Sequence, residues 1–369
     1  MPPAARTAFL DRIRVVLSAL VIMHHAAIMF GAPGGWYLTM PTTLMVEKLP
    51  LTVFVSVNQS FFMGFFFLLA GYFSAPSFDR HGAGRFLRER LLRLGVPILV
   101  YGFILGPMTI ALAALHKGQP FLGYWVMLTR GGEFELGPLW FALALLCFSV
   151  VYCAWRLVRG AGAPGPGLAP GHGLLFAGAL LTGAGAFLLR LWVPVGTQRW
   201  LMQIGYFSSY TVLFVAGLAL ARRKWLEQVG SDIAMPWRLI SWLCVPLLFV
   251  YAVLGGALQG KPFDTSGGWS LPALAYAFWE PFVAWGIILG MLWRFRMSAH
   301  PSPRWQGFSP SAYGAYIVHP PVLVGLGLLL ADRPWPNSVR FVIAGVAAVG
   351  LSFLLARALL MIPGVRRIL

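Results

Sequence analysis

Hydrophobic residues gather along this chain into about ten runs, each near the length that an α-helix needs to cross a bilayer. The runs lie near 13–31, 53–74, 95–115, 139–156, 174–192, 205–221, 238–258, 272–293, 312–331 and 340–362. Short connections rich in Arg, Gly and Pro separate them. Run length and punctuation together predict an all-α, polytopic integral membrane protein. Residues 1–369 read as a single transmembrane domain, in which 75–94 is an Arg-rich connection and 157–173 a Gly/Pro-rich linker between spans four and five.

Composition agrees. With 59% hydrophobic and 11% charged residues and a mean hydropathy of +0.75, the chain has too little polar surface to cover a water-soluble globule. A net charge of +17 would by itself suit a nucleic acid binder. Its distribution points to a membrane instead. Ten spans place both termini on one side, and the termini with the even-numbered connections then carry 20 of the 28 Lys and Arg residues. The acids divide almost evenly, so the asymmetry is that of the positive-inside rule. Both termini are therefore expected in the cytoplasm, the location is expected to be a bacterial-type plasma (inner) membrane, and the bilayer rather than nucleic acid is the expected partner. The first run follows a basic start but is long and lacks a convincing small-residue cleavage site, so it is expected to be retained.

Candidate chemistry sits inside the apolar runs. Cys147, Cys153 and Cys244 read as small buried hydrophobes, and no spacing of Cys, His, Asp or Glu suggests a metal site. The stretch "VIMHHAAIMF" at 21–30 places two imidazoles where ionisable groups are rare and usually functional. On a helix, Arg14 and His25 lie three turns apart and share a face with Ser18, about 17 Å apart along the axis, whereas His24 points about 100° away. Glu280 is the carboxylate that falls within a predicted span, in the outer half of the eighth near the depth of His25. It suits either an orienting partner for that imidazole or a structural role. His319, just before Pro320 and Pro321, either serves the site or closes a hydrogen bond between helices. Asn58, Gln59 and Ser60 form a polar cluster near the outer end of the second span, suited to interhelical bonds or to the hydroxyls of an acceptor. In the 75–94 connection, Arg85, Arg88, Arg90 and Arg93 match the bidentate needs of phosphate, although the positive-inside rule alone would also place arginines there.

Several segments resemble one family. "FLDRIRVVLSALVIMHH" at 9–25 is similar to the opening signature of the membrane-bound acyltransferase 3 family, with Asp11, Arg14 and His25 on its three marked positions. "FFMGFFFLLAGYF" at 61–73 resembles the Phe-rich second span, and "RFLRERLLRLGVP" at 85–97 the Arg-rich connection, where Arg90 and Arg93 match the Arg pair ahead of a proline. "GPLWFALALL" at 137–146 resembles the Leu-Trp-Phe signature that includes Trp140, and "SAYGAYIVHPP" at 311–321 the late Tyr-x-x-Tyr-x-x-His segment that ends on His319. The cast is most similar to the branch of glucan biosynthesis protein C-like members. Two positions depart from the pattern: Arg12 stands where small residues are common, and Ala70 stands where a serine is usual.

The resemblance implies an O-acyltransferase that moves an acetyl or succinyl group from cytoplasmic acyl-CoA, a co-substrate rather than a bound cofactor, to a hydroxyl of an extracytoplasmic glycan. His25 would be the general base. Arg14, Arg85, Arg88, Arg90 and Arg93 would hold the donor, and Asp11, Asn58, Gln59, Trp140 and His319 would line the site. A transporter of a small polar molecule or glycan is the competing class, because it too would need many spans, buried polar groups and a proline-broken helix.

Overall fold

The computed structural model describes residues 3–160, 169–256, 259, 263–298 and 307–369; residues 161–168 of the expected linker lie outside this set. Every apolar run falls on a helix, and no named strand occurs among the described residues. The helices are α1 (Pro3–Met29), α2 (Met45–Arg90), α3 (Val96–Val100), α4 (Gly106–Ala114), α5 (Phe121–Arg130), α6 (Trp140–Arg159), α7 (His172–Arg190), α8 (Phe207–Leu220), α9 (Ser231–Leu254), α10 (Leu271–Met297), α11 (Ala312–Leu330) and α12 (Asn337–Leu359). Eight helical stretches among the described residues are long and apolar enough to cross a membrane; that containing α8 is shorter. The chain is an all-α, multi-pass membrane protein.

One difference from the sequence reading concerns the second and third runs. They lie on one helical stretch, Met45–Lys117, of 73 residues. At 1.5 Å per residue this is about 110 Å, several times the roughly 30 Å of a bilayer's hydrocarbon core. Such a stretch needs a break, and Gly82 supplies it with φ 70° and ψ 172°. Only glycine enters that region cheaply. The 75–94 connection is therefore helical on both sides of a single glycine, with a π-helical turn at Leu91–Gly95 before Pro97.

The chain forms two compact units. The first comprises 1–13, 59–83 and 153–300. There α10 packs along α9 and α7. Close approach is built in where α2 meets α8: a Cβ on Gly71 would land on the Phe214 carbonyl, and one on Gly217 on the Leu68 carbonyl. Arg12 reaches the end of α10, where Nη1 donates to the Ser298 carbonyl at 2.9 Å and Nη2 to that of Phe295 at 2.6 Å. Terminal carbonyls lack helical partners and carry the negative end of the helix dipole, so the arginine that departs from the family pattern is a C-terminal cap.

The second unit comprises 14–58, 84–152 and 301–369. Here α11 packs along α12 and α4, and α5 folds back on α4. The return is deep: the Glu135 N–H donates to the Gly102 carbonyl at 3.0 Å, well inside the third run. The segment after α1 also folds back. The Met40 N–H donates to the Met29 carbonyl at 2.7 Å, and the Asn337 amide donates to the carbonyls of Phe30 (3.0 Å) and Met40 (2.8 Å). These bonds pin residues 30–40 across the end of α1.

Candidate active site

His25 and His319 meet in the second unit although 294 residues separate them, with His25 Nδ1 3.0 Å from His319 Nε2. The local sequence fixes which nitrogen carries which proton. Pro320 has no N–H, so the carbonyl of Tyr316, four residues earlier, is left without its helical donor. The other ring nitrogen of His319, Nδ1, lies 2.6 Å from that carbonyl oxygen. A carbonyl only accepts, so His319 Nδ1 must bear hydrogen. In a neutral ring Nε2 is then an acceptor, and His25 Nδ1–H donates to it. What remains is the lone pair of His25 Nε2, which has no hydrogen-bond partner among the described residues. The Tyr-x-x-His-Pro sequence thus sets the tautomer of a histidine on another helix.

The returning segment covers this pair. Trp36 stacks on His25 with ring centroids 4.2 Å apart and planes 16° apart, and lies nearly parallel to His319 at 5.8 Å. Its indole N–H is buried without a partner among the described residues. A buried unpaired donor costs roughly 1–3 kcal/mol, which a ligand acceptor beside the imidazole would offset. The neighbouring Tyr37 hydroxyl lies 3.1 Å from that of Tyr101 and donates to Glu135 Oε1 at 3.2 Å, and the Gly137 N–H donates to the same oxygen at 2.8 Å. Burial, followed by the nearby Tyr101 and Glu135, pushes the Tyr37 phenol well above its ordinary range, so it stays a donor. The Tyr316 hydroxyl donates to the Pro138 carbonyl, tying the "GPLW" turn to α11.

Three arginines converge toward the other end of the unit. Arg14 and Arg93 are close enough to Arg90 for their charges to act on it. The Arg90 guanidinium lies 5.2 Å from the ring centroid of Phe86. Like charges gather this way at a cost that Glu89, also near Arg90, offsets in part, and the net positive cluster suits an anionic ligand with several phosphates. Arg85 behaves differently: it pairs with Glu89 at 3.0 Å, with both side chains open to solvent, and Arg88 is exposed. Because α1 is unbroken, the shared face of Arg14 and His25 holds, and the two stand about 17 Å apart along it.

The remaining sequence candidates scatter. Glu280 belongs to the first unit and forms a buried ion pair with Arg190 at 2.6 Å. Tyr206 and Tyr276 flank that guanidinium at 5.2 and 5.4 Å, and Arg190 Nε donates to the Gly205 carbonyl at 2.9 Å. Arg190 is not among the residues singled out from sequence, although an arginine inside the fifth apolar run is itself a signal. Asn58 is buried and donates to the Leu20 carbonyl at 3.1 Å, locking α2 to α1, whereas Gln59 approaches the Tyr210 hydroxyl at 3.5 Å in the other unit. Asp11 is half-buried on α1 in the first unit. Trp140 is half-buried beside Phe141, and it is Phe141 that meets Tyr316, edge-on at 6.2 Å. Trp36 and Tyr37 were missed because they lie in a connection with no helical period of its own.

An acyltransferase domain family, acyltransferase 3, matches residues 7–357, nearly the whole chain. The chain belongs to the acyltransferase 3 family. Among curated relatives, glucans biosynthesis protein C of Escherichia coli O6:K15:H31 (strain 536 / UPEC) is 28% identical over 163 residues, and that of E. coli K12 is 29% identical over the same length. These matches cover 42% of this chain and 40% of each relative, so the chain spans about two fifths of the relatives it matches. No solved structure matches. Within this acyltransferase 3 chain, the matched range includes the His25–His319 pair, Arg14 and the Arg90–Arg93 cluster.

Proposed function

We propose that the protein is a membrane O-acyltransferase that moves an acyl group from cytoplasmic acyl-CoA to a hydroxyl of a glycan at the outer face of a bacterial inner membrane. The observation that carries the reading is the hydrogen-bonded series from the Tyr316 carbonyl through His319 to His25, which leaves one imidazole lone pair free and oriented. Family membership and the name of the relatives, glucans biosynthesis protein C, support acyl transfer and a glucan-like acceptor.

The chemistry follows from the tautomers. His25 Nε2 takes the proton of the acceptor hydroxyl as its oxygen attacks the thioester carbonyl. The resulting imidazolium is held by His319 Nε2, and the Trp36 N–H is the donor available to the developing oxyanion. The carbon–sulfur bond then breaks, the ester forms, and His25 returns its proton to the departing CoA thiolate. Arg14, Arg90 and Arg93 hold the phosphates of CoA at the cytoplasmic end, from which the acyl arm reaches along the α1 face to His25.

The test is donor binding and turnover by protein reconstituted in nanodiscs. Acetyl- and succinyl-CoA are titrated, and transfer to a glucan oligosaccharide or hydrolysis to free CoA is followed. Saturable binding of one donor with release of CoA supports the proposal. A folded protein that binds neither thioester overturns it in favour of a transporter.

A further inference from the structure

A groove of about 350 Å³ lies at the end of the second unit where α1 and α11 finish and α2 and α12 begin. Its lining includes Thr42, Thr43, Glu47, Trp335, Asn337 and Arg340. We propose that this groove is the subsite that holds the acceptor, and that it takes an uncharged, hydroxyl-rich chain of sugar rings. The inference rests on the acyltransferase reading and adds to it the place and chemistry of acceptor recognition.

Three observations carry it. First, the groove and the imidazole share one short segment. Trp36 stacks on His25, and Pro41 and Thr42 of the same connection line the groove. Five residues span at most about 18 Å, so the groove opens within that reach of the stacked ring. His25 itself lies four residues, about 6 Å, from the end of α1 at Met29. Second, the groove is built and held. Glu47 accepts from the Asn337 N–H at 3.0 Å and from the Thr42 hydroxyl at 2.7 Å, and the Asn337 amide grips the Phe30 and Met40 carbonyls. Arg340 Nε donates to the Trp335 carbonyl at 2.9 Å, and Arg340 Nη2 has no partner among the described residues.

Third, the chemistry of the lining is that of a sugar site. Trp335 lines the groove and is 43% exposed, so part of its indole is open to a ligand there. A pyranose ring presents a face of C–H bonds that suits the negative face of an indole, while its hydroxyls seek fixed donors and acceptors at the edge. Glu47 and Arg340 supply one of each, and their charges offset one another, so the groove favours a neutral polyol over an anion or a cation. Polar side chains make up most of the lining, and Trp335 with Pro41 and Pro336 adds the apolar faces, a mixture that suits a ligand with both C–H faces and hydroxyls.

The experiment uses the full chain in nanodiscs, with its acyl-CoA donor and a mixed-linkage hydrolysate of glucose oligomers as acceptor. Transfer is measured against oligomer concentration for wild type, Trp335→Ala and Trp335→Phe. The proposal predicts a KM for oligomers raised about tenfold or more by Trp335→Ala, with a much smaller change in kcat and with recovery in Trp335→Phe. Should Trp335→Ala fail to fold, Thr43→Trp, which fills the groove from an exposed position, is expected to raise KM in the same way. An unchanged KM in a folded groove variant overturns the groove alone. So does a loss of kcat without a change in KM, which would mark Trp335 as structural. A wild type that turns over acyl-CoA but transfers nothing to glucose oligomers overturns the sugar assignment. One that binds no acyl-CoA overturns the acyltransferase reading itself.

Discussion

His319 is the residue whose replacement separates a positioned base from a loose one. In the resting site its Nε2 accepts from His25 Nδ1 at 3.0 Å, and its own Nδ1 is held 2.6 Å from the Tyr316 carbonyl. When His25 takes up the acceptor's proton it becomes a cation, and the bond to His319 becomes charge-assisted. Hydrogen bonds to charged groups contribute roughly 1.5–3 kcal/mol. Losing this one from the transition state should slow transfer about ten- to a hundredfold, at 1.36 kcal/mol per tenfold. His319→Phe keeps a flat ring in the packed position and removes both nitrogens. His319→Gln returns an amide oxygen near the place of Nε2, so the acceptor for His25 is restored without the ring. The assay is transfer of labelled acyl groups from acyl-CoA under saturating donor, with thermal unfolding as a control for folding. Phe should show the full loss and Gln most of the wild-type rate. A Phe variant within about twofold of wild type, or a folded Gln variant as slow as Phe, would refute the positioning argument.

Other consequences follow from the same geometry. Pro320→Ala returns an N–H that competes with His319 for the Tyr316 carbonyl; turnover should fall about two- to tenfold while the thermal midpoint holds or rises, because Ala suits a helix interior about 3 kcal/mol better than Pro. Calorimetric titration should find that Arg90→Gln with Arg93→Gln weakens acyl-CoA binding about tenfold or more, whereas Arg85→Gln, an exposed partner of Glu89, changes it less than about twofold. Glu280→Gln removes one member of the buried pair with Arg190 and should lower stability by about 3 kcal/mol or more, read as a drop in the unfolding midpoint. A Glu280→Gln protein of unchanged stability but abolished turnover would instead give that carboxylate the orienting role considered from sequence.

The sequence made much of this protein legible for physical reasons. An apolar run of about 20 residues has few fates other than a membrane helix, so every run found a helix. Three turns of unbroken helix are enough to put Arg14 and His25 on one face. Contacts between distant segments were another matter. Nothing in the spacing of His25 and His319 says that they touch, and the carboxylate near the expected depth, Glu280, turned out to hold Arg190. A depth match gives one coordinate of a position; azimuth around the bundle is set by packing, which periodicity does not encode. Trp36 and Tyr37 were hidden because no helical period marks a buried face in the connections between spans. In this unit two of them fold back, one onto α1 and one onto the middle of the third run. Arg12 shows the converse. It broke the family's pattern in sequence, and the carbonyl end of α10 explains it.

The adjacent histidines separate a general base from a buried neighbour in one comparison. His24 is buried and meets His25 edge-on with ring centroids 5.7 Å apart, so the two share their chemistry and depth, while His25 is the one bonded to His319 and stacked on Trp36. Acyl transfer by His25→Ala and by His24→Ala, each purified and shown to be folded, should be compared with wild type at saturating acyl-CoA. With His25 as the base, His25→Ala loses about a hundredfold or more of the rate while His24→Ala keeps most of it. Equal tolerance at the two positions, or a greater loss at His24, would contradict that role.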